Sequence, residues 1–226
     1  MYRNVIRQQN LLTHAFLKIY VVCAVITFII SLIGGNSLNQ ELMSPENLIV
    51  FIFPRYLIFC GLIPTYLLAL LATTQIRSQD ILIYQSRKVV VLQVIYRLCL
   101  ITIIMAGVWT VGTLLTITIN HHFYFLVATW FTILVRAVCL WTACFLLGLI
   151  ATTLTFATKS KLIAFFISFS ISALSFYLAT AHIPSLLFDF GSADTNIVLI
   201  GKEAIMLGAT LLFVTVMTQI IGRRDL

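Results

Sequence analysis

The apolar residues of this chain gather into six long runs separated by short polar gaps. The runs cover about 17–33, 48–72, 98–119, 125–150, 162–181 and 203–221. A helix needs about 20 apolar residues to cross the hydrocarbon core of a bilayer, so each run predicts a transmembrane helix. The first is short and stops at Gly34-Gly35. The second contains Pro54 and Pro64, which predicts a kink. The third ends at Asn120-His121-His122, and the apolar character of the fourth continues to about Phe156. The pattern predicts an all-α polytopic membrane protein with six transmembrane helices, organised as a single transmembrane domain over 1–226.

The gaps carry their own patterns. Over 1–18, Val5, Leu12, Phe16 and Ile19 recur near helical spacing, with Arg3, Arg7, Gln8 and Asn10 on other faces. That spacing predicts an N-terminal interfacial amphipathic helix; the alternative is a helical extension of the first span. Gln8, Gln9, Asn10 and His14 argue against a cleaved signal peptide, and the first span is expected to serve as an uncleaved anchor. Between spans two and three, Ile81, Leu82 and Ile83 sit between Asp80 and Gln85, too short a run to span. A short helix at the membrane surface fits there, with Ser78 or Asp80 as its cap. The gap from His182 to Lys202 is broken by Pro184, Gly191 and Gly201, and its Leu186, Leu187 and Phe188 are expected to dip into the outer interface.

Composition agrees with the pattern. Hydrophobic residues make up 61% of the chain and charged residues 9%, against about a quarter charged in ordinary soluble domains. The net charge of +7 would suggest nucleic acid for a soluble protein. Its distribution does not. Arg3, Arg7 and Lys18 precede the first run, Arg77, Arg87, Lys88 and Arg97 fall between the second and third, Lys159 and Lys161 between the fourth and fifth, and Arg223 and Arg224 after the sixth. Alternate gaps are acidic, with Glu41 and Glu46, then Asp189 and Asp194. This is the positive-inside alternation, and it predicts a multi-pass protein of a cell membrane, of bacterial type, with both termini cytoplasmic. The cations then face anionic membrane lipids, at roughly 1 kcal/mol each near the surface, rather than nucleic acid.

The chain is poor in recognisable chemistry. The five cysteines all lie in apolar runs without a CxxC or zinc spacing, and each reads as a small buried hydrophobe. No GxxxxGK[ST] and no HExxH occurs, and His121-His122 is an adjacent pair rather than a same-face helical one. Thr110, Thr113, Thr116 and Thr118 are expected to bond back to their own helix or a neighbour. No Asp or Glu is expected deep in a span, which argues against an intramembrane enzyme and against a proton-coupled carrier. Three cations break the sorted pattern: Arg55, Arg136 and Lys202. A cation inside the bilayer costs roughly 2.5–3.5 kcal/mol on insertion scales, so it faces a partner, water or the headgroups. These three mark a candidate translocation path, Arg136 the deepest, with Asp189, Asp194 and Glu203 as its candidate partners.

Two short stretches and the layout as a whole resemble the permease subunits of ATP-binding-cassette exporters, of the type-2 permease family. The first is RSQDILIYQSRKVVVLQVIYR, from Arg77 to Arg97, where Ser86-Arg87-Lys88 is similar to that family's step before span three. Val91 stands where an aromatic is common. The second is the C-terminal IIGRRDL, similar to the family's basic-acidic ending. The resemblance implies a cytoplasmic coupling helix between helices 2 and 3 that docks a separate ATPase through Arg77, Ser78, Gln79, Asp80, Tyr84, Ser86, Arg87 and Lys88. It implies a second permease subunit, the same or different, across the translocation path. It places ATP and Mg in the ATPase and no cofactor in this chain, which would be no enzyme itself. Export of a peptide, such as an antimicrobial peptide, a lipid or another amphiphile would follow. A stand-alone six-span channel or carrier, and a membrane immunity or chaperone protein that binds a partner without transport, are the competing expectations.

Overall fold

The structure, a computed structural model, describes residues 2–36, 52–74, 87–119, 123–181, 183, 185, 187–188 and 196–223. Six long helices run through it: α1 (Tyr2–Asn36), α2 (Arg55–Thr73), α3 (Arg87–Ile119), α4 (Phe123–Thr158), α5 (Lys161–Thr180) and α6 (Asn196–Arg223). Each is long and apolar enough to cross a membrane. The chain is an all-α, multi-pass membrane protein. Helices are what a bilayer permits, because each backbone amide must find its partner within the segment.

Helix α4 is the axis of the bundle. It packs against α2, α3, α5 and α6, and 67% of its membrane window is buried, against 22% for α1 and α5 and 17% for α6. The outer faces of α1, α5 and α6 expose large apolar side chains such as Val22, Ile29, Leu162, Phe166, Ile205 and Leu211. In water such faces would aggregate. In hydrocarbon they are the solvent-compatible surface.

Several expected boundaries move. The N-terminal segment does not fold as a separate interfacial helix: α1 continues unbroken from Tyr2 through the first span. Helix α3 starts at Arg87, ahead of the apolar run read from Leu98. Val89, Val90, Val91, Leu92, Val94 and Ile95 continue the apolar pattern with no breaker before Leu98, so the helix has no reason to stop there. At 33 residues, or about 50 Å, α3 exceeds the roughly 30 Å hydrocarbon core and projects beyond it. Helix α6 begins at Asn196, ahead of the apolar run read from Glu203. Gly201 sits inside it without a neighbour within 4 Å of where a Cβ would stand, so it costs propensity but does not break the helix.

The two prolines expected to kink the second span act in different ways. Pro54 is the N-cap, extended at φ −69° and ψ 112°. Its carbonyl accepts from Ile58 N at 3.0 Å. Pro64 has no N–H to donate, and the turn before it, Ile58–Leu62, widens into a π-helix in which Ile63 N bonds Ile58 O. A π turn is one of the recognised ways a helix absorbs such a defect.

Helices α2, α3 and α4 approach closely where they meet. The Tyr66 hydroxyl and Thr102 Oγ1 lie 3.0 Å apart and fully buried. Gly148 of α4 packs flat against them. A Cβ there would overlap the Tyr66 hydroxyl and come within 2.5 Å of Leu98 Cδ1. Gly112 does the same for α1 and α3, where a Cβ would overlap Ser31 Oγ. Small residues at helix crossings are the expected packing device in lipid, where dispersion rather than the hydrophobic effect holds helices together. Thr27 and Thr65 add a 3.0 Å hydroxyl pair between α1 and α2. The hydroxyls of Thr110, Thr113, Thr116 and Thr118 return to carbonyls three or four residues back, as expected.

Gly148→Ala should destabilise the bundle by about 1–3 kcal/mol, the usual cost of overpacking. Tyr66→Phe should lose only about 0.6 kcal/mol, the average of an interhelical hydrogen bond in a membrane. Since the Tyr66 hydroxyl is the main obstruction, the double variant should be more stable than the sum of the singles implies. Thermal unfolding of the four proteins in mild detergent reads this; strict additivity would show that Tyr66 does not oppose the new methyl group.

Candidate functional site

Two polar constellations interrupt the apolar bundle, one near each end. The first surrounds the C-terminus of α2. A helix leaves its last four carbonyls without intrahelical donors. Here Thr74 N bonds Leu70 O at 2.9 Å. Lys161 Nζ of α5 donates to Ala72 O at 3.3 Å, and Arg97 Nη1 of α3 donates to Thr73 O at 2.8 Å. The Tyr20 phenol of α1 faces both Thr73 and Arg97. Three helices thus converge on the last turn of α2, and the cations lie at the negative end of its dipole. The neighbouring turn from α4 into α5 is tight. Lys159 takes a left-handed conformation at φ 59°, and Ser160 caps α5 by accepting from Ile163 N at 3.4 Å.

The second constellation lies toward the opposite end. Arg55, at the start of α2, donates from Nη1 to Ala179 O at 2.9 Å, in the last turn of α5. The antiparallel pair α2 and α5 is therefore tied at both ends by a cation on a helix C-terminus. Between the ties runs an aromatic ladder. Phe59, on the π turn, is stacked between Phe169 and Phe176 at 5.1 and 4.6 Å. Phe188 closes on Phe59 and Phe176 edge-on at 6.2 and 5.7 Å. Leu187 and Phe188 are buried, so the segment between α5 and α6 packs into the helix bundle.

Between α4 and α6 lies a buried polar group. Arg136 is 4% exposed. Thr142 Oγ1 donates to Glu203 Oε2 of α6 at 2.7 Å. The Cys139 thiol, between them on the same face of α4, is hydrogen-bonded to Glu203 and lies near Arg136. Glu203 was read as the first residue of the sixth run, and the helix extends past it. Glu203 sits inside the Ile197–Ile221 crossing, because Ile197 to Ile200 extend α6 past it. Its place beside α4 removes it from lipid, and the Thr142 hydroxyl supplies the hydrogen bond that a desolvated carboxylate needs. Lys202 precedes it on α6 and is half-buried with a partner of its own.

Of the three cations expected along a path, Arg55 ties α2 to α5, Arg136 is buried on α4, and Lys202 lies on α6. Asp189 and Asp194 lie outside the described residues, as do Arg77, Ser78, Gln79, Asp80, Tyr84 and Ser86. Arg87 and Lys88 form the first turn of α3, with their side chains outside those described. Among the described residues, no three His, Cys, Asp or Glu side chains come together in a way that could hold a metal ion. Cys60 is exposed on α2 rather than buried. Arg97 and Lys161 were legible in the sequence only as orienting charges. Nothing in their spacing pointed to the end of α2, which lies far from both along the chain.

Thr142→Val and Glu203→Leu should be coupled by about 0.6–1.7 kcal/mol, the span of hydrogen bonds measured in membrane helices. The double variant should lose that much less stability than the two singles together, as read from unfolding in detergent; no coupling would mean that Thr142 does not hold Glu203. A comparison of the chain with protein-family models, curated proteins and solved structures finds no match.

Proposed function

We propose that this chain is the non-catalytic permease subunit of an ATP-driven exporter, docking a cytoplasmic ATPase through the segment from Arg77 to Lys88. What carries the reading is the base of that segment. It leaves α2 at Thr73 and Thr74, the point on which Arg97, Lys161 and Tyr20 converge from α3, α5 and α1. A push delivered to the segment would reach four helices through these contacts. Coupling of this kind needs a rigid element that moves between discrete packings. The resemblance of Ser86-Arg87-Lys88 and of the IIGRRDL ending to type-2 permeases, with six spans and sorted charge, supports the same reading. In it a second permease subunit completes the path, ATP and Mg belong to the ATPase, the plasma membrane is the site, and the cargo is a peptide, lipid or other amphiphile.

One observation favours a second reading. Glu203 and Arg136, on helices that pack together, supply the intramembrane charge that a stand-alone carrier needs.

An ATPase with a nucleotide-binding loop should co-purify with the chain from its native membrane in mild detergent. Asp80→Ala or Arg87→Ala should lower transport-coupled ATP hydrolysis about tenfold or more, as loss of a buried charged contact at an interface does, while the permease remains folded. Liposomes holding this chain alone decide between the readings: flux without any ATPase would sink the first and support the carrier.

A further inference from the structure

A lateral groove of about 250 Å³ opens between α1 and α3 at the end of the bundle where Arg97 meets Thr73. Leu17, Tyr20, Val21 and Ala24 line one side, a single face of α1. Tyr96, Arg97 and the apolar residues of the next two turns of α3 line the other. The two helices run in the same direction, so Leu17, Tyr20, Tyr96 and Arg97 gather at one end, and Ala24 and Ile104 at the other. The groove is therefore amphipathic along its length. Its head holds a guanidinium and two phenols, and its tail is purely aliphatic.

We infer that this groove binds one anionic phospholipid of the cytoplasmic leaflet, its phosphate at Arg97 and one acyl chain between α1 and α3. Four features fit that occupant. From Leu17 to Ala24 and from Tyr96 to Ile104 the walls extend about 10–12 Å at 1.5 Å per residue. That is most of the roughly 15 Å depth of one leaflet's hydrocarbon. The 250 Å³ volume falls short of the roughly 300–1,000 Å³ that encloses a drug-sized ligand, and suits a single chain. The flanks are open to the membrane, since Leu17, Val21, Tyr96 and Leu100 are exposed. The charge is complementary. Arg97 gives one N–H to Thr73 O, and a guanidinium has five, in a fork that matches phosphate oxygens. Tyr20 and Tyr96 place phenols at the headgroup level, where such rings settle in membranes. By the positive-inside rule the Arg97 end is cytoplasmic, where the anionic lipids are.

The consequence is a lipid seated on the turn that fastens α2. Its phosphate would share Arg97 with Thr73 O, so it would stiffen the joint among α1, α2 and α3. Nothing in this inference depends on the ATPase, and its test uses the chain alone.

The test is lipid retention. The purified full-length chain is reconstituted into nanodiscs of mixed phosphatidylglycerol and phosphatidylcholine, extracted in mild detergent, and its retained lipid is measured by native mass spectrometry. The wild type should keep about one lipid per chain, with phosphatidylglycerol preferred about fivefold, the factor that one cation near the surface supplies. Arg97→Gln should still hold lipid but with that preference removed. Ala24→Phe fills the aliphatic end and leaves the Arg97–Thr73 bond intact. It should lose the retained lipid altogether while eluting from size exclusion like the wild type. Equal retention of the two lipids by the wild type, or undiminished retention by Ala24→Phe, overturns the proposal. So does efficient disulfide cross-linking between two chains carrying Leu17→Cys, which would put a second copy in the groove.

Discussion

The architecture depends on how near α2 and α3 can come to α4. Gly148 leaves room for the Tyr66 ring and hydroxyl directly against the α4 backbone, and Thr102 takes up the phenol's polar end. In lipid no hydrophobic force drives helix against helix, so contact distance governs the energy. A polar tip inside the bundle also needs a partner, since unpaired it would cost roughly 1–3 kcal/mol. The glycine and the hydroxyl pair meet both demands at one point. With α4 held there, α5 and α6 have an axis to pack on, and their remaining faces are left to the membrane.

The second constraint is at the helix ends, where backbone carbonyls run out of donors. The chain answers with cations from neighbouring helices: Arg97 and Lys161 on α2, and Arg55 on α5. Each satisfies a carbonyl and meets the negative end of a dipole. Charges sorted along the sequence therefore also join its helices. The joint at the end of α2 stands next to the segment for which an ATPase contact is proposed and to the head of the lipid groove. Three separate lines, from helix termini, charge sorting and cavity shape, meet in that one place.

Much of this was open to inspection along the chain. Six apolar runs became six helices, and Pro54 and Pro64 shaped α2 as their chemistry requires. The return of threonine hydroxyls to their own helices was equally readable, because it is local. The misses came where a boundary was set by polarity alone. Lys202, Glu203 and Arg97 were placed outside or at the edge of spans because they are charged. The structure carries them inside helices, because neighbouring Ile, Leu and Val residues keep the helix going and a facing helix supplies a partner. Continuity of the backbone hydrogen bonds outweighed the local charge.

The one-dimensional pattern determined the class, the number of crossings and the sorting of charge. These depend on hydropathy over some twenty residues and on which gaps hold Lys and Arg, and both are properties of segments. Which cations tie helix ends, which glycine admits which side chain, that Glu203 faces Thr142, and that an aliphatic groove ends in Arg97 were decided only by the tertiary structure. Those are relations between residues up to 124 positions apart, and periodicity within one helix holds no information about the face of another.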